Sequence, residues 1–220
     1  IPDNALYGSK SITKVTISSS VKNIGKYVFM YCDNLDTIMV DKDNSIYYAK
    51  GNCVIEKAAQ KLFFGCQSSV IPAEVKSIGD YAFCGSVGLT QITLPEGLES
   101  IGEYAFSECK YLKNPIIPST VKNISKYAFA WCFGLTDVTI PDGVERISEG
   151  LFYGCESLFS VTIPQSVTAI DDDAFKFCQK LVRIDFKGTT EEWNAITKGN
   201  NWNFKVSSNF KVNCLGDSDA

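Results

Sequence analysis

Histidine is absent from this sequence, and its absence removes several classes of enzyme. Ser-His and Cys-His catalytic pairs, acid–base catalysis by imidazole and every histidine-containing zinc site are excluded. Basic and acidic residues nearly balance, at 21 and 25, and Lys and Arg never form a run of five or more. We therefore expect no nucleic-acid partner and no attraction to anionic lipid.

Long apolar stretches are also missing. No segment approaches the roughly 18 apolar residues of a membrane-spanning helix, so we expect no membrane insertion. The opening Ile1-Pro2-Asp3-Asn4 lacks the features of a signal peptide, and we expect any signal or anchor to lie outside this sequence. Gly-x-Ser-x-Gly, P-loop and dinucleotide-binding motifs do not occur. The sequence predicts neither an enzyme nor a cofactor.

What the sequence does contain is a repeat with a period of 23 residues. One column of the repeat is proline: Pro72, Pro95, Pro118, Pro141 and Pro164. Another is phenylalanine: Phe83, Phe106, Phe129, Phe152 and Phe175. These columns define units at 72–94, 95–117, 118–140, 141–163 and 164–186, with an earlier unit at 18–40 and a half-unit at 1–17.

Each unit ends in a short segment of alternating polarity, as at 92–94, 138–140 and 161–163, which predicts a strand with one buried face. Proline, which lacks an N–H group, ends the strand and begins a turn that Asp142-Gly143 completes in one unit. Because a unit of this size cannot bury its own apolar face, neighbouring units must stack. We expect a parallel sheet over one continuous core.

The middle of each unit is interpreted as one helical turn, as at 101–106. Ser125, Ser148 and Asp171 stand at the expected N-cap position. Acidic residues follow two of these caps, at the positive end of the predicted turn.

The unit, with Pro, Ala-Phe, Cys and Leu or Ile in fixed columns over about residues 1–186, resembles the BspA-type leucine-rich repeat of bacterial surface proteins, LxxIxLPxxLxxIgxxAFxxC. The resemblance implies an α/β fold: a right-handed solenoid with a parallel sheet on its concave side and short helical turns on its convex side. It also implies adhesion to host or matrix proteins and an extracellular or cell-surface location.

The repeat pattern is lost between Val40 and Pro72. Segments 47–48, 53–55 and 62–64 are apolar and alternate with polar residues, which predicts an inserted antiparallel hairpin or meander. The favoured interpretation of insertion 41–71 is a hairpin that decorates the solenoid while one coil passes beneath it. The alternative is a dedicated binding loop.

Residues 187–214 are predicted to cap the last coil. Thr189 and Glu192 form a candidate capping box, Trp193 supplies an apolar helical face, and Gly199 is the expected helix end. Residues 210–214 are a candidate final strand. We expect one domain over 1–214, a tail at 215–220 and fraying from Gly216 onward.

The sequence contains nine cysteines, which are candidate metal ligands or disulfide partners. Five of them share one column of the repeat: Cys32, Cys109, Cys132, Cys155 and Cys178. A column along a rod gives a line of thiols, not a tetrahedral zinc site, so no metal is expected. Ser9 and Ser86 replace cysteine in two units, which favours buried free thiols. Disulfides between coils are the alternative, and Cys53, Cys66 and Cys214 are then the candidates to pair.

Two acidic clusters also have a functional and a structural interpretation. The run 171–173 suggests calcium, but it lacks the spaced ligands of a calcium loop and its first two residues fall on the predicted cap positions. Glu191-Glu192 resembles a glycosidase carboxylate pair, yet both residues lie at the start of the predicted cap helix. We favour the structural interpretation for both.

Two outward-facing columns remain as candidate ligand-binding positions on the predicted concave face. The first contains Thr93, Ile116, Thr139, Thr162 and Asp185. The second, two residues earlier, contains Gln91, Asn114, Asp137 and Arg183, and the large apolar Phe159 lies beside them. Exposed Thr also suits a strand without any ligand, which is the alternative explanation for the first column.

The sequence therefore predicts a non-catalytic, monomeric interaction or adhesion module that binds a protein or glycan ligand through the concave face. The alternative is a structural spacer or scaffold within a longer surface protein. An enzyme is the least favoured hypothesis.

Overall fold

The computed structural model describes residues 1–219 and contains short strands joined by turns. In chain order the strands are β1 (Lys14–Ile17), β2 (Thr37–Val40), β3 (Tyr47–Lys50), β4 (Cys53–Glu56), β5 (Lys61–Gly65), β6 (Ser77–Ile78), β7 (Ser100–Ile101), β8 (Asn123–Ile124), β9 (Asp137–Thr139), β10 (Arg146–Ile147), β11 (Ser160–Ile163), β12 (Ala169–Ile170), β13 (Arg183–Phe186), β14 (Thr197–Lys198) and β15 (Lys211–Cys214). One α-helix, α1 (Thr190–Ala195), and one 3₁₀ helix, Leu215–Asp219, lie near the C-terminal end.

Parallel pairing at the repeat period stacks the units into coils. Strands β9, β11, β13 and β15 form one sheet, and Val138, Val161 and Ile184 are in register across three of them. Strands β1 and β2 pair in the same way at the other end of the chain. This arrangement is consistent with the predicted stack of repeats, and the proline of each unit accepts a turn bond from the residue three positions later, as Pro118 does from Val121 at 3.0 Å.

Most coils also contain a second strand of only two residues, which the sequence did not predict. These short strands pair from coil to coil and form a second row. β6, β7 and β8 continue a six-stranded sheet, while β10, β12 and β14 form a three-stranded one. In β6, β7, β8, β10 and β12 the second residue is a buried isoleucine in the 23-residue register, such as Ile101 paired with Ile124. In β14 the partly buried Lys198 takes this position. Two residues are too few to show alternation in a sequence.

The predicted helical turns are wrong. Segment 102–106 is a series of hydrogen-bonded turns, and Tyr104 has a positive φ of 52°, which a right-handed helix does not allow. Alternate amides donate to the next coil instead: Tyr104 to Lys126 O at 3.2 Å and Phe106 to Ala128 O at 2.8 Å. This ladder between coils provides the partners that helical bonds would have supplied.

Because these segments are not helices, Ser125, Ser148 and Asp171 are not helix caps. The Ser148 hydroxyl donates to Ile124 O, and the Asp171 carboxylate pairs with Arg146. Both contacts connect adjacent coils. Ser125 connects coils through its backbone amide, which donates to Ile101 O at 2.9 Å.

The strands predicted at the ends of units 72–94 and 95–117 are also absent from the described residues. Pro115 occupies a strand position and lacks the N–H group that a parallel ladder needs from it. The Asn114 side chain takes over part of the bonding, since its Oδ1 accepts from the amides of Thr136 at 2.8 Å and Asp137 at 3.2 Å.

The core is built on stacked phenylalanine rings. Phe83 and Phe106 have centroids 5.2 Å apart and planes inclined by 4°, and Phe129, Phe152 and Phe175 continue the column. All five are fully buried. The expected single core is instead two clusters of buried residues, which divide at the insertion.

The insertion contains the predicted antiparallel meander, β3-β4-β5. It does not decorate the surface, because Cys53, Val54 and Ile55 are all fully buried. Val54 packs into one core cluster, while its neighbours pack into the other. Strand β5 then pairs in parallel with β6. The meander is therefore a partition within the stack, as expected for a strand that is apolar on both faces.

The C-terminal cap forms a further coil. Thr189 and Glu192 make the predicted capping box, and Trp193 is buried against Phe186 and Trp202. The helix ends at Ala195, earlier than the expected Gly199.

Strand β15 is the predicted final strand and pairs with β13. The expected fraying is not observed at Gly216, whose amide donates to Gly188 O at 3.0 Å. Ala220 lies outside the described residues.

Candidate functional site

The predicted ligand-binding positions lie on the outward face of one row of strands, which we call the strand face. It comprises β1, β2, β9, β11, β13 and β15, together with the equivalent positions between 91 and 116. Thr139, Thr162 and Asp185 are in register across β9, β11 and β13. Thr139 is exposed, while Thr162 and Asp185 are partly exposed. Sheet pairing fixes their backbones about 4.8 Å apart between strands, so this part of the candidate site is rigid.

Polar side chains of the strand face bond to their neighbours, both along a strand and between strands. Asp137 accepts from the hydroxyls of Thr136, at 2.8 Å, and of Ser160. Arg183 pairs with Asp185 through an Nε–Oδ2 contact of 2.9 Å. Neighbouring pairs of this kind hold the side chains in one arrangement and leave their outer surfaces available.

Apolar side chains interrupt this polar surface. Phe159 is 49% exposed and immediately precedes β11, and Ile116 is 84% exposed. Met39 extends the Ile116 column toward the N-terminal coils and is 45% exposed. Exposed apolar groups surrounded by polar ones are the usual composition of a protein-binding patch.

Gln91, Thr93, Asn114 and Ile116 lie outside assigned strands. Asn114 is still tied to the sheet, because its Nδ2 donates to the Thr136 hydroxyl at 2.9 Å. The amide of Lys113 donates to Thr90 O at 3.0 Å, which joins the two coils just before the candidate positions.

Two further members of the strand face were missed from the sequence. Lys211 pairs with Arg183 and Asn213 pairs with Asp185 in the β13–β15 register. The Asn213 amide also donates to the Asp185 carboxylate at 2.9 Å. The alternation in Lys-Val-Asn-Cys matches Arg-Ile-Asp-Phe in β13 and could have identified both residues.

The cysteine column is buried, as predicted, and each thiol has the same contact. Sγ of Cys109, Cys132, Cys155 and Cys178 donates to a phenylalanine carbonyl 26 residues earlier, at 3.1 Å in every case. All nine cysteines are free thiols in the structure. Burial raises the pKa of the Cys155 thiol to about 12, so the column supplies no thiolate nucleophile.

The acidic clusters have structural partners. Asp172 Oδ1 accepts from the Asn200 amide at 2.6 Å, and Asp173 pairs with Lys176 at 3.2 Å. The pKa of Glu192 is lowered because its carboxylate accepts from the backbone of Thr189 in the capping box. These carboxylates therefore stabilise the turns and the C-terminal cap.

Within residues 1–219 no cluster of three or more potential metal ligands occurs. No helix in the same described part of the chain is both long and apolar enough to cross a membrane.

Known proteins with the same organisation are bacterial leucine-rich repeat proteins. A leucine-rich cell surface protein of Faecalibacterium prausnitzii is 31% identical, with a TM-score of 0.77, and the match covers 90% of this chain and 53% of that protein. A leucine-rich repeat protein of Eubacterium ventriosum is 22% identical, with a TM-score of 0.76 and coverages of 90% and 59%. The pneumococcal vaccine antigen PcpA is 20% identical, with a TM-score of 0.69 and coverages of 92% and 56%.

This chain thus spans between half and three fifths of these three proteins. No curated protein is similar enough in sequence to match it. The family model for the BspA type leucine rich repeat region matches six copies, over residues 1–64 and 54–182. With the 23-residue columns and the parallel stacking of coils, this match shows that the chain belongs to the BspA-type leucine-rich repeat family.

Proposed function

We propose that the chain is a non-catalytic interaction module that binds a protein or glycan ligand through the strand face. The observation that carries this proposal is the rigid polar row of Thr139, Thr162 and Asp185 with Phe159 exposed beside it. A partner can bury the apolar ring while the polar row supplies hydrogen bonds at its rim. Asn213 adds a further polar group to the same row.

The location and shape of the module are part of the proposal. We infer a right-handed solenoid formed by residues 1–214 as one monomeric domain, with the strand face on its concave side. Similarity to a cell surface protein supports a surface or extracellular location.

The test is binding to a panel of purified matrix and host-surface proteins and glycans, with the Phe159→Ala and Thr139→Lys variants. Loss of a buried aromatic anchor typically weakens binding by roughly tenfold or more. We expect a similar loss from Thr139→Lys, which places a long charged side chain within the polar row.

Two matched controls separate the strand face from general surface effects. Asn123→Lys makes the same charge change on an exposed residue of β8. Phe204→Ala removes a ring that is 46% exposed and lies in the turn that follows β14, away from the strand face. Both controls should bind as the unaltered protein does. Unchanged binding by both strand-face variants would contradict the proposal and favour the spacer or scaffold alternative.

A further inference from the structure

A cavity of about 350 Å³ lies where the insertion interrupts the stack of coils. One wall is the turn segment 24–30, and the opposite wall includes Gly79, Asp80 and Tyr81. In the regular part of the stack, equivalent turn segments are direct neighbours and bond to each other. Here the meander separates them.

The ladder between coils stops at this cavity. Elsewhere, alternate amides of each turn donate to the next coil, as Tyr81 does to Glu103 O and Phe83 to Ala105 O, both at 2.8 Å. The equivalent amides of Tyr27 and Phe29 have no hydrogen-bond partner among the described residues. On the opposite wall the carbonyl of Asp80 likewise accepts no bond within that part of the chain.

Side chains close part of the gap that the backbone leaves. The rings of Tyr27 and Tyr81 have centroids 4.4 Å apart, and the Cys84 thiol lies 3.9 Å from the Met30 sulfur. Phe64 already occupies the place of a column phenylalanine, since it stacks on Phe29 at 4.2 Å. The remaining slot has the rings of Phe29 and Phe64 at its base. Its walls carry the amides of Tyr27 and Phe29 and the carbonyl of Asp80, which have no hydrogen-bond partner among the described residues.

We propose that this slot binds an extended peptide segment of a partner protein, which continues the coil-to-coil ladder across the gap. Carbonyl groups of the peptide would accept from the amides of Tyr27 and Phe29, and a peptide amide would donate to Asp80 O. An extended peptide backbone offers acceptors and donors in this alternation, as in strand addition to a sheet edge. Small side chains suit the base of the slot, because Phe64 fills the ring position.

The chain itself suggests the probe. Segment 102–108, GEYAFSE, supplies the ladder carbonyls that face Tyr81 and Phe83. The probe is therefore the acetylated and amidated peptide GEAAASE, in which alanine replaces the tyrosine and the phenylalanine, because Tyr27 already contacts Tyr81 and Phe64 fills the phenylalanine position. The control peptide is identical except for an N-methyl group on its first alanine, which removes the amide that would donate to Asp80 O.

Hydrogen exchange of the full chain gives the first readout. Without peptide, the amides of Tyr27 and Phe29 should exchange quickly, whereas those of Tyr104 and Phe106 should be protected by their ladder bonds. At saturating GEAAASE, exchange at Tyr27 and Phe29 should slow by roughly tenfold or more. Unchanged exchange at both amides would overturn the proposal.

Fluorescence anisotropy with labelled GEAAASE gives the second readout. We expect saturable binding that is weakened roughly tenfold by Phe63→Ala, which removes a ring from the cavity lining, and by N-methylation of the probe. Phe159→Ala, on the strand face, should leave peptide binding unchanged, so failure here is distinguishable from failure of the proposed function. Absence of saturable binding, or equal binding of the N-methyl peptide, would contradict the slot.

Discussion

At the scale of single residues, the buried thiols show how a repeated contact can select a residue type. A thiol is small enough to pack between stacked phenylalanines and still donates weakly to a carbonyl, as Cys132 does to Phe106 O at 3.1 Å. The same geometry recurs in four consecutive coils. The column therefore serves packing and needs no metal or nucleophile to explain it.

These thiols predict how stability depends on pH. Burial raises the pKa of Cys53, Cys84 and Cys155 from 9.0 to about 12, so the folded state keeps protons that the unfolded chain loses above pH 9. Their stabilising effect is complete below that pH and is lost as pH rises toward 12. Titration of each thiol should lower the free energy of unfolding by about 1 kcal/mol per pH unit in this range.

Urea unfolding under reducing conditions, at about one pH unit below and one above the unfolded thiol pKa, measures the effect. A Cys155→Ala variant should show a smaller decrease than the unaltered protein, because it has one thiol fewer to titrate. A free energy of unfolding that stays constant across this interval would contradict the assignment of these cysteines as buried free thiols.

The phenylalanine column predicts a large difference between two substitutions of the same kind. Phe129→Ala removes a ring that is 1% exposed and stacked between Phe106 and Phe152, and it should cost about 3–5 kcal/mol of unfolding free energy. Phe159→Ala removes a half-exposed ring and should cost less than about 0.5 kcal/mol. Denaturant unfolding compares them, and equal costs would contradict the proposed core.

At the scale of elements, side-chain columns were predictable from sequence, whereas backbone conformations were only partly so. The residues of the Phe, Cys and strand columns are apolar because they are buried. Their recurrence every 23 residues makes this burial visible in the sequence. The turn at Tyr104 and Tyr127 depends on positive φ values, 52° and 55°, at residues that do not favour them. Bonds to the next coil and stacking of these rings at 5.0 Å compensate, and neither is visible in one unit.

The strand face shows the same division. Register placed Thr139, Thr162 and Asp185 together as the sequence predicted. Pro115 removes one donor from the ladder beside Ile116, on the side of β9, because its equivalent Val138 faces the following strand β11. The role of the insertion was not predictable, because burial of β4 on both faces depends on core clusters from distant units.

Pro115 itself provides a test at this scale. Val138 occupies the equivalent position in the next unit and faces the following strand, so Pro115→Val should restore an amide donor toward β9 and extend the ladder to 114–117. Each restored hydrogen bond should add about 0.5–1.5 kcal/mol to the free energy of unfolding. Hydrogen exchange should show protection at position 115, and rapid exchange there together with lower stability would contradict this explanation.

At the scale of the whole molecule, the stack separates two kinds of surface. The strand face is a regular, paired row whose chemistry repeats from coil to coil, and the slot beside the insertion is the place where that regularity is broken. In repeat proteins each coil is stabilised mainly by its neighbours, so a partition between two cores also permits the two parts to differ in stability. The proposed strand-face site around Thr162 lies on the larger, C-terminal part.

Site-specific photo-cross-linking tests the proposed strand-face interaction most directly. A benzophenone side chain at Thr162, in the centre of the polar row, is compared with one at Asn123 in β8, using the proteins that the unaltered chain captures from the matrix and host-surface panel. The expected result is a covalent adduct from position 162 and none from position 123. Adducts from position 123 alone would contradict binding through the strand face.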